Sequence, residues 1–280
     1  MNEITLILIS YKSEKIIYNF IKKIPSKIKT IIVENSQNHE LKKSIEQNYK
    51  NISVYIKENN GVSSALNFAV EKIETKYFLQ ISPDIEINFE NLEIFLNYAK
   101  KLDDRFAALG PRFLNVKEKS HKQIDEKLES GKIDSIHGSC MFINKENFEK
   151  IGKFDENFFL YFEETEYCYR AKKNGYISYQ INDIKAKSIG RSVETNNNEE
   201  KKLNNILIWH FIWSKYYFSK KKRGKLLSLT IFIPLLLRMN LRIFLYKILK
   251  DDISLEKYKY RLNGLISSMR GKNSNLRPHN

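Results

Sequence analysis

Short apolar runs alternate with segments of helical periodicity over the first 110 residues. The runs are nearly continuous and of strand length, which is typical of strands buried on both faces. They cover residues 4–10, 30–33, 52–56 and 77–82. Residues 13–24 and 61–73 instead carry apolar side chains at helical spacing. Strand–helix alternation with short connections predicts an α/β fold, with a mostly parallel central sheet, right-handed crossovers and flanking helices.

The pattern weakens after this region. Residues 112–135 are polar and rich in lysine, and we expect them to form a surface excursion. A further strand is predicted at residues 135–143, and helices are predicted at residues 145–151 and 163–174.

The charge of the chain is unevenly distributed. The net charge of +15 comes almost entirely from residues 201–280, which hold 18 Lys and Arg against three Asp and Glu. Residues 1–200 hold 30 of each sign and are neutral overall. With 280 residues available, this partition predicts a large α/β domain at 1–200 and a basic amphipathic helical extension at 201–280.

Two features bear on the compartment. Cys140 and Cys168 are too few for a disulfide framework and indicate reduced thiols in a cytosolic compartment. The amino-terminal apolar run is short, β-branched and preceded by Glu3, so we expect a first strand and no signal peptide. A cytoplasmic location follows as an expectation.

The basic extension mixes aromatic, aliphatic and cationic residues. Its longest uncharged run, 226–237, has 12 residues, whereas a membrane-spanning helix needs about 20 apolar residues, so we expect no crossing. Apolar stripes beside cations suit a helix lying in the interface of an anionic membrane, on the inner face of the cell membrane. The amphipathic rings expected at that interface are Trp209, Trp213, Tyr216 and Tyr217, with His210 at the surface. The alternative is a helical subdomain packed on the α/β domain.

Three carboxylates stand directly after a dense aromatic run in "NFFLYFEETE". Glu163, Glu164 and Glu166 are costly in such surroundings, because desolvation and mutual repulsion both oppose their ionisation. A helix amino terminus favours acidic residues through its dipole. That explains acids at this position, but it does not explain the aromatic run before them.

Four blocks, taken in order, carry a resemblance to a known family. They are "LILISYKSE" with "IIVENSQ", then "NNGVSSALNFAV", then "QISPDIEI", and last "HGSCMFINKENFEKIGKFDENFFLYFEETEYCYRAKKNGY". Together they resemble the inverting, GT-A-fold glycosyltransferases of family 2, especially the bacterial rhamnosyltransferase-like branch. The resemblance covers about residues 4–193. The last block is the most specific, because Gly-x-Cys, Gly-x-Phe-Asp-Glu and the acidic cluster occur together in it.

The resemblance implies a UDP- or dTDP-sugar bound beyond the carboxyl ends of the strands. Glu34 then takes the position whose carboxylate accepts from a pyrimidine NH, where the family usually has Asp. Gly61 lets the backbone approach the donor at a helix start. The other donor contacts implied are Ser10, Tyr11, Asn60, Asn67, Ser82 and Gly138. The structural alternatives are a strand-end glutamate at 34 and an ordinary glycine turn at 61.

The third block falls where the family has its Asp-x-Asp-like metal motif. Ser82 replaces the first carboxylate, which leaves Asp84 as the direct ligand of Mg²⁺ or Mn²⁺. In an extended chain Glu86 would share a face with Asp84 and assist it. Downstream, Lys187 stands where the family has a His, so Lys187 and Arg191 are expected to neutralise the leaving phosphates in part. Metal dependence therefore stays open, as does the alternative that Asp84 is only a turn residue.

The acidic cluster occupies the position at which the family has its catalytic base. The resemblance makes Glu164 the catalytic base that takes the acceptor hydroxyl's proton, with Glu163 and Glu166 orienting the acceptor or the loop. Glu166 is also placed to pair with Arg170 at i,i+4.

Three classes of function compete. The leading one is hexosyl or deoxyhexosyl transfer, with inversion, to a saccharide or lipid-linked acceptor in cell-surface polysaccharide synthesis. A degenerate nucleotide-sugar-binding protein is favoured by the missing first carboxylate and His, and opposed by the retained Asp84 and Glu164. Nucleic-acid binding through the basic extension is disfavoured, because the interleaved Leu, Ile and Phe suit lipid better than a phosphate backbone.

Overall fold

The computed structural model describes residues 2–115, 122–190, 193–194 and 197–277. They form two compact units. The sheet unit comprises Met1–Asp155 with Glu163–Glu194, and the helical unit comprises Glu156–Phe162 with Thr195–Asn280. The division differs from the predicted boundary at residue 200 in one important respect. The aromatic segment 156–162 belongs to the helical unit, although the acids that follow it belong to the sheet unit.

The described part of the sheet unit contains nine strands and six α-helices. The strands are β1 (Ile4–Ser10), β2 (Lys29–Glu34), β3 (Ile52–Ile56), β4 (Tyr77–Ile81), β5 (Ile85–Ile87), β6 (Leu109–Phe113), β7 (Ser130–Ile133), β8 (Cys140–Asn144) and β9 (Ser178–Ser188). The helices are α1 (Glu14–Ile21), α2 (His39–Asn48), α3 (Val62–Lys72), α4 (Leu92–Lys101), α5 (Lys145–Ile151) and α6 (Glu163–Lys173).

The strands join one sheet in the order β3-β2-β1-β4-β8-β6-β9-β5, with β7 also paired to β9. The first four strands of this order are parallel, as predicted. Beyond β4 the sheet is mixed, because β8 runs antiparallel to both of its neighbours. The expected surface excursion at 112–135 includes the end of β6 and all of β7, whose short sequences contain glycine or proline and carry little strand signal.

Two apolar cores lie on the two faces of the sheet. The apolar runs form these strands because nearly every residue of β1 is buried, as a strand covered on both faces requires. On α3, Ala65 and Ala69 are fully buried, and their small side chains allow the helix to lie close to β1 and β2.

Three long helices build the helical unit: α7 (Asn197–Arg223), α8 (Lys225–Ile248) and α9 (Asp252–Met269). Their shared core consists of Ile212, Tyr216, Phe232, Met239 and Leu265. At Gly264 of α9, a Cβ atom would lie 2.6 Å from the carbonyl oxygen of Trp209 on α7. The close approach of these two helices therefore depends on a glycine.

Three of the four aromatic residues predicted at a membrane interface are interior residues, so that place is wrong for them, and the fourth, Tyr217, is half-buried. Trp209, Trp213 and Tyr216 are all buried, and the indole N–H of Trp209 donates to Asn263 Oδ1 at 2.8 Å. His210, expected at the surface, is fully buried and stacks on Phe159. A stripe of aromatic side chains on a helix can be covered equally well by protein or by lipid, and here protein covers it.

Helix α8 has the opposite character. It is 24 residues long, with a mean hydropathy of 1.6 over its most apolar window, of which 17% is buried. By length and composition alone it is the one helix of the described chain that could cross a membrane. The expectation that no segment is long enough was wrong, because the helix stays apolar on both sides of Arg238 and Arg242.

Candidate active site

The ends of four neighbouring strands form one edge of the sheet. The carboxyl ends of β2 and β1 lie side by side, with Ser10 opposite Glu34. The carboxyl end of β4 follows, and the antiparallel β8 begins beside it, with Ile81 opposite Cys140. Most of the predicted site residues stand at or just beyond this edge, where polar loops replace the buried apolar strands.

Glu34 presents a buried carboxylate at this edge. Its Oε1 accepts a hydrogen bond from the backbone N–H of Ser36 at 2.5 Å and another from the Ser36 hydroxyl. Its Oε2 is buried and has no partner among the described residues. A buried acceptor without a donor costs free energy, so a ligand N–H would satisfy this atom. The sequence analysis did not select Ser36 as a site residue, although it lies only two residues after Glu34.

The neighbouring predicted contacts are turned toward the protein. The Ser10 hydroxyl is fully buried and lies 3.1 Å from the Ser13 hydroxyl. Tyr11 is partly buried just beyond the strand. Asn35, which the sequence analysis did not select, is buried, and its Oδ1 has no partner within the described chain. The edge thus offers two unsatisfied acceptors, on consecutive residues.

The start of α3 follows β3 at the same edge. Gly61 has φ +96° and ψ 172°, a conformation open essentially to glycine alone, and no side chain caps the helix. Asn60 is exposed beside it. Asn67 is buried farther along the helix, and its amide both donates to and accepts from the backbone of Phe154. These two bonds give Asn67 a role in holding the chain, and its donor contact stays a prediction.

Asp84 lies in the turn between β4 and β5. Burial raises the pKa of its carboxyl group, and the Ser188 hydroxyl, 3.4 Å from Oδ2, acts in the opposite direction. Ser188 was not predicted as a site residue. Within the described ranges, no three acidic, His or Cys side chains form a metal cluster. A single carboxylate nevertheless fits a magnesium-like ion held mainly by substrate phosphates and water.

Glu86 was predicted to assist Asp84, and Lys187 to face the leaving phosphates, but the two residues lie opposite each other on β5 and β9. Asp84 lies in a turn rather than in an extended strand, so the expected sharing of one face with Glu86 fails. Glu86 is exposed, pairs with Lys23 at 3.5 Å and lies opposite Lys187 across the β5–β9 pair. The side chain of β9 that bonds Asp84 is Ser188. Arg191 lies outside the described residues.

Residues 137–139 connect the Asp84 turn to the acidic cluster. The backbone N–H of Ser82 donates to the carbonyl of Ser139 at 2.8 Å. A Cβ atom on Gly138 would lie 3.2 Å from Cγ of Glu164, so the carboxylate arm rests on the glycine backbone. The His137 ring packs against that of Phe113 with centroids 4.5 Å apart, and its Nδ1 lies 2.7 Å from the Ser139 hydroxyl, so both contacts hold this connection in place.

Glu163 and Glu164 open α6 in different environments. Glu163 is buried, and its Oε2 has no partner among the described residues. Burial, reinforced by the negative charge of Glu164, raises the pKa of Glu163 well above its usual value. Glu164 is only partly buried and accepts a hydrogen bond from the Thr165 hydroxyl at 2.9 Å. Two adjacent carboxyls in such different environments are typical of acid–base sites.

Glu166 has a structural role. It pairs with Arg170 through both carboxylate oxygens, at 3.3 and 3.2 Å, which confirms the predicted i,i+4 pair. The same guanidinium donates to the carbonyls of Ile151, Gly152 and Lys153. The pair therefore fastens α6 to the end of α5.

The backbone before the acidic pair is strained. Tyr161 and Phe162 have φ of 68° and 70°, in the left-handed region that aromatic residues rarely adopt. Such conformations persist only where the surrounding structure holds them, and they are frequent at functional sites. Here the ring of Phe162 packs 5.5 Å from that of Phe211 within the helical unit.

The edge therefore combines four chemical elements in one unit. Glu34 offers an unsatisfied acceptor, Asp84 a single half-buried carboxylate, Gly138 a bare backbone, and Glu164 a second, partly exposed carboxylate. β2 and β8 are three strand spacings apart in the sheet, about 14 Å. An elongated ligand with an N–H group at one end and a hydroxyl-bearing partner at the other fits this edge.

Residues 5–164 match the sequence profile of Glycosyl transferase family 2. The chain is also similar to the low-salt glycan biosynthesis hexosyltransferase Agl10 of Haloferax volcanii, at 27% identity over 62% of this chain and 62% of that protein. A dTDP-rhamnosyl transferase, RfbF of Shigella flexneri, is 26% identical over 55% of this chain and 57% of the relative. These alignments thus span less than two thirds of either relative.

The fold resembles that of solved glycosyltransferases. The structure of GalNAc-T7 with UDP, GalNAc and Mn²⁺ superposes with a TM-score of 0.56, covering 95% of this chain and 57% of that one. At 14% identity this likeness concerns the fold alone. It confirms the predicted GT-A architecture.

Proposed function

The chain belongs to Glycosyl transferase family 2, and we propose that it transfers a hexosyl or deoxyhexosyl group, with inversion, from a UDP- or dTDP-sugar to a saccharide or lipid-linked acceptor. The observation that carries the proposal is the contrast between the environments of Glu163 and Glu164. Burial raises the pKa of Glu163, while the partly exposed Glu164 rests on the Gly138 backbone. A transferase needs a carboxylate beside the acceptor to take the proton of its hydroxyl group.

The donor lies along the strand-end edge. The unsatisfied Oε2 of Glu34 accepts the N–H of a uracil or thymine ring, which is a pyrimidine imide donor. Guanine presents a different donor pattern, so a pyrimidine nucleotide is favoured. The diphosphate then extends past Gly61 toward the Asp84 turn. The glycine backbone and the uncapped start of α3 suit a close approach of phosphate oxygens.

The chemical step uses Glu164. The acceptor hydroxyl oxygen attacks the anomeric carbon, and the bond from that carbon to the diphosphate oxygen breaks. The hydroxyl proton passes to Glu164, and the bonding electrons leave with the nucleoside diphosphate. Attack opposite the leaving group inverts the anomeric centre. Burial, and then the charge of Glu164, opposes the ionisation of Glu163, so Glu163 positions the pair without accepting the acceptor's proton.

Asp84 would hold a divalent cation, together with oxygens of the diphosphate. When bound, such an ion would stabilise the negative charge of the leaving group. GalNAc-T7, solved with Mn²⁺, shares the fold. Glu86 has no place in this proposal, because its carboxylate pairs with Lys23. Lys187 and Arg191 remain as predicted contributors to charge neutralisation.

Helix α8 would place the enzyme on the cytoplasmic face of an anionic membrane. One face of α8 is buried in the helical unit through Ser228, Phe232 and Met239. The other face exposes an apolar stripe with helical spacing, which we name the α8 stripe. It consists of Ile233, Leu237, Leu241, Phe244 and Ile248, each 49–62% exposed. About half of the surface of each side chain is open to solvent, and burial of that surface in lipid would stabilise it.

The charges around the stripe fit anionic headgroups. Residues 220–225 carry five Lys and Arg between α7 and α8, and Arg238 and Arg242 stand along α8. Two arginines near the middle of a helix oppose a bilayer crossing, whereas a helix lying in the interface keeps them among phosphates. We therefore propose that α8 lies in the membrane surface.

A thermal-shift panel tests the donor site. UDP- or dTDP-sugars with Mg²⁺ should raise the melting temperature, because a ligand that binds only the folded state stabilises it. GDP-sugars should leave it unchanged. Glu34→Gln should abolish the shift, while the matched exposed variant Glu149→Gln should keep it. Asp84→Ala should lose the part of the shift that EDTA removes from the wild type. The absence of a shift with every donor would contradict the proposal.

A further inference from the structure

The helical unit contains a cavity of about 600 Å³ between α7 and α9. It opens to solvent, and none of its lining residues belongs to the strand-end edge of the sheet unit. Its walls come from the amino-terminal half of α7, the amino-terminal half of α9 and one residue of the 156–162 segment, Tyr161. The proposed transfer reaction makes no use of it.

The polar wall of this cavity is positive. Lys201 of α7 and Lys257 and Arg261 of α9 line it, and no acidic residue does among those that the structure describes. The Nε of Arg261 is buried without a hydrogen-bond partner in the described chain. A buried N–H donor on a cation is costly to leave unpaired. An anionic oxygen entering the cavity would satisfy it, and the two lysines would add to the attraction.

The remaining wall is apolar. Leu207, Ile208 and Phe211 of α7 form it together with Ile253 of α9 and the ring of Tyr161. Tyr161 and Phe211 pack edge to face with ring centroids 5.6 Å apart. A small inorganic anion needs no such wall. A ligand with a charged head and a hydrocarbon tail matches both sides of the cavity.

One rim of the cavity continues into exposed apolar surface. Ile253 is 64% exposed, and it follows Ile248 and Leu249, which are 61% and 70% exposed at the end of α8. A hydrocarbon chain leaving the cavity over Ile253 would therefore meet the end of the α8 stripe. This continuity makes a lipid a better occupant than a free sugar phosphate.

We propose that this cavity binds the phosphate end of a lipid phosphate, with its hydrocarbon chain leaving over Ile253. Three cations suit a phosphate monoester or diphosphate, which carries more charge than a carboxylate, and the arginine presents several donors to it. The inference deepens the proposed function, on which it rests for the choice of a membrane-bound, lipid-linked acceptor. Phosphate recognition in the helical unit would retain such an acceptor on the enzyme.

Direct binding tests the proposal with the full chain and without any donor. Isothermal titration uses dodecyl phosphate below its micelle concentration, inorganic phosphate, and the uncharged dodecyl maltoside. Dodecyl phosphate should bind at a single site, at least ten-fold more tightly than either of the other probes. Lys257→Gln and Arg261→Gln should each weaken it about ten-fold. The control Lys259→Gln makes the same charge change on the same helix, outside the cavity, and should leave the affinity within two-fold.

Three results would overturn the proposal. Equal affinities of the wild type and Lys257→Gln for dodecyl phosphate would exclude the cavity as its binding site. Lys257 is exposed, so its replacement should leave the fold intact, and a loss of affinity would reflect the lost charge. Equal binding of inorganic phosphate would indicate a site for free phosphate. Equal binding of dodecyl maltoside would indicate an apolar groove only. Because no donor is present, failure here leaves the transfer reaction untouched, and a failed transfer assay leaves this binding untouched.

Discussion

The two units of this protein differ in how fully they bury their apolar side chains. The sheet unit covers both faces of its sheet, and its central strands β2, β1, β4 and β8 are buried almost throughout. The helical unit buries Trp209, Trp213 and Tyr216 of α7 but exposes the apolar stripe of α8. The excess of positive charge lies in residues 201–280. A closed unit of low net charge suits chemistry on a soluble donor, and a basic unit with an exposed apolar face suits a surface such as a membrane.

The boundary between the units explains the unusual sequence at 156–166. The rings of Phe158 and Phe159 are buried against Tyr217 and His210 of the helical unit. Glu163 begins α6 in the sheet unit one residue after that segment ends. The aromatic run and the acidic cluster are therefore adjacent because the chain passes from one unit to the other at this point.

Removing the proposed base should have the largest effect. Glu164→Gln keeps the shape of the side chain and deletes the proton acceptor, so transfer should fall about 10²–10⁴-fold. Release of nucleoside diphosphate measures it, with the donor that the thermal-shift panel selects. Glu149→Gln, an exposed change on α5, should behave as the wild type. Near-normal turnover of Glu164→Gln would remove this residue from the mechanism.

Acid should weaken the helical unit first. Burial lowers the pKa of His210 to about 4, whereas the unfolded chain has a value near 6.5, so the unfolded state takes up the proton first. The stabilising contribution of neutral His210 is present above pH 6.5 and is lost as the pH falls toward about 4, by about 3 kcal/mol.

Tryptophan fluorescence follows this loss selectively, because both tryptophans of the chain lie in α7. The urea midpoint of this signal should fall between pH 7 and pH 4.5. His210→Gln, which does not titrate, should flatten that fall, and the exposed control His39→Gln should not. An unchanged pH profile in His210→Gln would show that another group controls the acid response.

The α8 stripe should govern membrane binding. Leu241→Gln with Phe244→Gln should lower partitioning onto phosphatidylglycerol-containing vesicles about 30-fold or more, because each burial of such a side chain is worth at least about 1 kcal/mol. The matched control is Leu114→Gln with Leu128→Gln, two leucines of the sheet unit that are 61% and 51% exposed. Equal losses of vesicle binding in both double variants would show that membrane binding is not specific to the helical unit. Salt should release only part of the wild-type binding.

The smallest effect concerns Glu163, with the opposite sign to His210. Its folded-state pKa is raised by burial and by Glu164, so the folded protein keeps a proton that the unfolded chain releases above pH 4.5 or so. Stability should therefore decline as the pH rises through this range. Glu163→Gln should remove the decline, seen as slower hydrogen exchange in α6 peptides at pH 8 than in the wild type. An equal decline in both proteins would locate the titrating group elsewhere.

The parts of the fold that the sequence predicts are those with a strong local pattern. The continuous apolar runs of β1 to β4 and the acidic start of α6 are such patterns, and the order of the four blocks identified the family. β6 and β7 were missed because Gly110, Pro111 and Gly131 dilute their strand signal. Whether protein or lipid covers the aromatic stripe of α7 depends on the partner helices, which no local pattern encodes.

For the candidate site, the sequence predicted the main carboxylates but not the residues that surround them. Glu34, Asp84 and Glu164 stand where the motifs placed them. The acceptor atom that Glu34 leaves unsatisfied depends on Ser36, and the partner of Asp84 is Ser188, more than a hundred residues away in sequence. The raised pKa of Glu163 follows from burial, which depends on the assembled core.

A crossed assay of turnover and vesicle binding tests the central claim, that chemistry resides in the sheet unit and membrane attachment in the helical unit. Wild type, Glu164→Gln and the Leu241→Gln, Phe244→Gln pair are each measured for nucleoside diphosphate release in solution and for flotation with anionic vesicles. Glu164→Gln should lose turnover and float as the wild type does. The α8 pair should keep its turnover in solution and fail to float. Loss of both properties in either variant, with folding intact by circular dichroism, would contradict the division.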